Sequence, residues 1–115
     1  MPNRVNLMQE RRKYPRVDIS FPVECDEVLH KNYFYTVSKD LSTGGVRIVS
    51  NKFLPKNEQI KISINLIDKI VNLTARVAWC NEVRASDDYL CGLEFVENGK
   101  NRRNEIASFL SKISQ

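Results

Sequence analysis

The chain has 115 residues, 42% of them hydrophobic and 28% charged, which suits one domain with a single modest core. No apolar run is long enough to cross a bilayer, and residues 1–16 lack the apolar stretch of a secretory signal. A cytoplasmic protein without membrane insertion is therefore expected. The three cysteines, Cys25, Cys80 and Cys91, are odd in number and sit in apolar segments without C-x-x-C spacing, which points away from both a disulfide framework and a zinc site.

The formal net charge of +4 is concentrated at the start of the chain. Arg4, Arg11, Arg12, Lys13 and Arg16 face only Glu10 within residues 1–16, and the remaining acids and bases cancel. Residues 1–10 read as a flexible arm and residues 11–115 as the domain. Pro15 fixes its own φ and pushes Tyr14 toward extended geometry, so this segment is not an ordinary helix interior. In an extended chain Arg12 and Arg16 point the same way. Their guanidinium groups suit forked hydrogen bonds to phosphate or to the O6/N7 edge of guanine.

The elements then follow in order. Ile19 to Cys25 alternates apolar and polar residues as a strand, with Pro22 placing it near a sheet edge or a bulge. His30-Lys31-Asn32 is a turn, and His30, the single histidine, has no metal-ligand companion at a useful spacing. Tyr33 to Val37 is a second strand by its aromatic and β-branched content. Asp40-Leu41-Ser42-Thr43-Gly44-Gly45 reads as a loop whose side chains bond locally and whose glycines supply φ > 0, ahead of a strand at Val46 to Val49.

Ile60, Ile62, Ile64 and Leu66 alternate with polar residues, Asp68-Lys69 turns the chain, and Val71 to Trp79 alternates again. Cys91, Leu93 and Phe95 form a sixth strand, and Trp79 and Phe95 fall on apolar faces as core residues. Ile106, Phe109, Leu110 and Ile113 recur at helical spacing behind an Asn101 cap. Six strands and a terminal helix predict a mainly β fold: a closed six-stranded antiparallel barrel with a C-terminal α-helix.

Arg12-x-x-x-Arg16, followed after about two dozen residues by Asp40-x-Ser42-x-x-Gly45 and later by Gly92-x-x-Phe95, resembles the PilZ domain family. That family consists of small β-barrels that bind the bacterial second messenger cyclic di-GMP. The resemblance implies a binding site made of Arg11, Arg12, Arg16, Asp40, Ser42, Gly44 and Gly45. Arg12 and Arg16 would be the main clamps and Arg11 a third. Asp40 would accept from guanine N–H groups, and the Ser42 hydroxyl would serve the turn, the ligand or both. The glycines would let the backbone approach a base. A basic residue directly before the arginine pair implies two stacked nucleotides per chain.

The implied role is a receptor that passes a conformational signal to an effector protein in motility or biofilm regulation. No catalytic set is visible, so neither an enzyme nor a cofactor or metal is expected. Two rival readings rank lower. One is a small barrel that binds single-stranded nucleic acid through the basic arm with Tyr14, Tyr33 and Tyr35. The other is a degenerate PilZ adaptor that binds no nucleotide. The motif residues are intact, which ranks the degenerate adaptor below the ligand-binding form, and nucleic acid is not the expected partner.

Overall fold

Each strand turns one apolar face inward, and the sheet can bury all of these faces together only by closing on itself. The computed structural model describes residues 19–96 and 100–113. Its strands are β1 (Pro22–Glu27), β2 (Asn32–Leu41), β3 (Gly45–Ser50), β4 (Gln59–Leu66), β5 (Lys69–Glu82) and β6 (Tyr89–Phe95). They form a closed barrel in the order β1-β2-β3-β6-β5-β4, with every neighbouring pair antiparallel. The expected fold class is the observed one.

The interior is aliphatic. Val23 and Cys25 of β1, Val46 and Ile48 of β3, Ile60 to Leu66 of β4 and Val71 to Val77 of β5 contribute alternate residues, joined by Cys91, Leu93 and Phe95. Each fully buried Ile or Leu contributes about 1.5–3 kcal/mol. Helix α1 (Lys100–Ile113) lays Ile106, Phe109 and Leu110 onto the same core, with the Phe109 ring edge-on to Phe21 at 5.4 Å. Arg103 Nη2 also donates to the Phe95 carbonyl at 2.7 Å. The helix starts at Lys100, so Asn101 lies inside its first turn rather than ahead of it as a cap.

Two further expectations are corrected. Pro22 is not on a sheet edge, because a closed barrel has none; it is the first residue of β1, where a strand tolerates a missing N–H. The chain before it is held by Ser38, whose Oγ accepts from Phe21 N at 2.8 Å and donates to the Ile19 carbonyl at 3.2 Å. The tight turn between β4 and β5 consists of Ile67-Asp68, not Asp68-Lys69, since Leu66 pairs with Lys69. Ile67 carries φ 51° there.

The thiols belong to the packing. Burial pushes the Cys25 thiol up to about 12 and raises Cys91 as well, which keeps both protonated at neutral pH.

Candidate functional site

Two β-bulges build the site. Regular alternation would give Asp40 the inward orientation of Ser38, two residues before it. Between Ser38↔Ile48 and Asp40↔Arg47, however, β2 advances two residues while β3 advances one. The extra residue, Lys39, turns Asp40 to the outer face beside Arg47. The same happens on β5, where Val77 pairs with Leu93 and Trp79 with Gly92, leaving Ala78 as the extra residue. Gly92 lies between the inward Cys91 and Leu93, so Trp79 shares its outer face.

The expectation that Trp79 is a core residue is thus overturned: it is half-buried and outward, while Phe95 is core. Period-two counting has no means of registering a bulge. A Cβ on Gly92 would sit 2.4 Å from the indole, so the ring lies directly over that glycine.

Asp40 and Trp79 thereby open on one cavity of about 250 Å³, lined also by Ser42, Gly44, Gly45, Arg47 and Gly92. All four sequence-predicted site residues within the described part of the chain are brought together here. Arg11, Arg12 and Arg16 lie outside the described residues. Sequence reasoning missed Arg47 and Trp79. For Arg47 the signal was available, since alternation with Val46 and Ile48 puts it on the outer face of β3.

The local chemistry departs from expectation in two ways. First, Asp40 and Leu41 belong to the end of β2 rather than to the loop. Asp40 is buried and receives Arg47 Nε at 2.8 Å and Nη2 at 2.7 Å on the same oxygen. Second, no described glycine has positive φ. Gly45 is needed instead for close approach, because a Cβ there would meet the Leu93 carbonyl oxygen at 2.2 Å. The Ser42 hydroxyl, expected to bond within its own loop, does so. It accepts from Gly44 N at 3.1 Å and Gly45 N at 3.3 Å, and Ser42 N donates to the Gly45 carbonyl at 2.9 Å.

A larger concavity of about 420 Å³ lies elsewhere, lined by Glu24, Asp26, Tyr33, Lys61, Asn72 and Arg102 among others. Its two described acids oppose its two described bases, and none of the described motif residues lines it. Tyr33 and Tyr35 are exposed nearby as an edge-to-face pair. The Tyr33 hydroxyl donates to the Glu24 carboxylate, which raises the phenol's pKa. A phosphate backbone laid on these tyrosines would meet the Glu24 carboxylate.

A barrel closed in this order, with a glycine-containing turn and a re-aimed acid beside one cavity, defines a small six-stranded antiparallel β-barrel domain. The chain belongs to the PilZ domain family, whose model matches residues 10–112. No curated protein matches the chain. Among solved structures it is similar to the Bacillus subtilis inhibitor of motility MotI/DgrA, with 21% identity, a TM-score of 0.74, and 90% of this chain and 51% of that one covered. The K. pneumonia MrkH–c-di-GMP complex is similar at 17% identity and TM-score 0.72, covering 90% of this chain and 51% of that one. The PilZ domain with c-di-GMP of YcgR from Escherichia coli is similar at 12% identity and TM-score 0.65, with 83% and 85% covered. At these identities the likeness is one of fold. The chain spans about half the length of MotI and MrkH. No helix among the described residues is long and apolar enough to cross a membrane.

Proposed function

We propose that the chain is a cyclic di-GMP receptor, a binding protein without catalytic activity, that converts nucleotide binding at an N-terminal arginine clamp into a conformational signal to an effector protein. The observation that carries this reading is the convergence of Asp40, Ser42, Gly44, Gly45, Arg47 and Trp79 on one cavity in a chain of the PilZ family. YcgR and MrkH, which share the fold, are described with c-di-GMP.

Charge supports the reading. The described lining offers Arg47 against Asp40 and Glu94, so it cannot neutralise a phosphodiester pair by itself. The excess of +4 in residues 1–16 supplies what the cavity lacks. The tether is short enough: Arg16 precedes Phe21 by five residues, a span of at most about 18 Å. Phe21 is bonded to Ser38, two residues along β2 from Asp40. In this arrangement Arg12 and Arg16 grip phosphate and the guanine acceptor edge, and Trp79 offers an indole face to a base. Arg11 faces a second, stacked nucleotide, giving two per chain. A cytoplasmic role in motility or biofilm control follows the same reading.

Calorimetric titration tests it. Cyclic di-GMP binds in preference to GMP, GTP and a random single-stranded oligonucleotide, with saturation at two equivalents, falling to one in Arg11→Leu. Arg12→Ala and Arg16→Ala each weaken binding by about 1–3 kcal/mol, the worth of a forked guanine contact. Unchanged affinity in both variants rules out the clamp. Equal binding of the oligonucleotide rules out the receptor.

A further inference from the structure

At the opposite end of β2 from the cavity, about 26 Å away along the strand, three side chains from separate segments converge without any assigned role. Glu27 ends β1, His30 lies in a single 3₁₀ turn at Val28–His30, and Glu58 sits in the loop ahead of β4. One ligand atom of each lies within 4.8 Å of the others. His30 Nε2 is 3.1 Å from Glu58 Oε2 and 3.9 Å from Glu27 Oε2.

The burial here is unusual for acids. The Glu27 side chain is 0% exposed and that of Glu58 5%, whereas His30 is 51% exposed. Buried carboxylates of this kind require compensation. Glu27 Oε1 has it, from Lys52 Nζ at 3.1 Å and Asn32 Nδ2 at 3.0 Å. Among the described residues, Glu27 Oε2 and Glu58 Oε1 are buried with no nitrogen donor bonded to them, and Glu58 Oε2 faces the half-exposed imidazole. One carboxylate oxygen is thus held from behind by an ammonium and an amide while the other points forward, the arrangement of an oriented metal ligand.

We propose that Glu27, His30 and Glu58 bind one divalent first-row transition-metal ion, which ties the β1–β2 turn to the loop before β4. One imidazole nitrogen and two carboxylate oxygens make a borderline set, suited to Zn²⁺ or Mn²⁺ rather than to Mg²⁺ or Ca²⁺, which take oxygen alone. Ligand atoms around a tetrahedral ion at about 2.1 Å stand about 3.4 Å apart, so small side-chain rotations close the present spacing. His30 gives the ion a route from solvent, and water completes the coordination. The site shares no residue with the cavity that holds Asp40 and Trp79.

The test is titration of the whole purified chain with ZnCl₂ and, separately, MnCl₂, with MgCl₂ as the oxygen-preferring control, read by calorimetry and by thermal midpoint. The expected result is one equivalent of Zn²⁺ with a raised midpoint, and little response to Mg²⁺. His30→Ala, in an exposed turn, and Glu58→Gln, of the same shape, should each weaken Zn²⁺ binding at least tenfold while remaining folded. Absence of saturable Zn²⁺ and Mn²⁺ binding overturns the proposal. So does binding that survives both variants and is lost in Cys80→Ser, which would place the ion on thiols.

Discussion

Arg47 stands directly across the β2–β3 ladder from Asp40 and brings two of its nitrogens to one carboxylate oxygen, at 2.8 and 2.7 Å. Asp40 is buried, so losing Arg47 removes two charge-assisted contacts from a buried carboxylate, whereas neutralising Asp40 leaves only a partly exposed cation. Arg47→Leu should therefore cost about 1–3 kcal/mol and Asp40→Asn distinctly less. Urea melts of the two variants measure this, and equal losses would refute the asymmetry.

Ser42 carries the turn that presents the site. Its hydroxyl accepts two backbone N–H groups, so Ser42→Ala should lower the stability of the ligand-free protein by about 1 kcal/mol. Chemical denaturation without nucleotide gives the number. An unchanged midpoint would mean that water replaces the hydroxyl at no cost.

Trp79 is the single tryptophan, which makes its fluorescence a report on the cavity. In Gly92→Ala the new methyl would lie 2.4 Å from the indole and force the ring off its strand. The emission maximum should shift and ligand affinity should fall, with only a modest loss of stability because a half-exposed ring can move. Gly45→Ala meets a backbone carbonyl instead and should cost more stability, about 1–3 kcal/mol. If Gly92→Ala leaves the emission unaltered, the placement of the indole is wrong.

Ile67 holds φ 51° in the β4–β5 turn while 81% exposed. A β-branched residue in that region is strained and gains nothing from burial there. Ile67→Gly should stabilise the protein by about 1 kcal/mol. A lowered thermal midpoint would show that the turn draws something from the isoleucine side chain.

Helix α1 depends on its apolar stripe. Truncating the ring that meets Phe21 in Phe109→Ala should cost about 3–5 kcal/mol. Equilibrium unfolding followed by circular dichroism tests it. A loss under 1 kcal/mol would mean that the barrel is stable without the helix.

Alternation with period two marked the inward face of β4 and most of β5, and helical spacing marked Ile106, Phe109 and Leu110, because these patterns are local properties of the chain. A closed barrel follows from six such half-apolar strands, and the two short motifs pointed to the family. The tertiary structure decided what depends on register and on contacts between distant segments. The bulges at Lys39 and Ala78 turn Asp40 and Trp79 outward, and a one-residue slip in pairing leaves no trace in composition. Gly45 is required by a carbonyl on β6, not by its own φ. His30 finds Glu58 only because β1 and β4 pair in the barrel and bring together residues far apart in the chain. What a residue repeats along its own strand was legible in the sequence; what it faces across the barrel was set by the pairing.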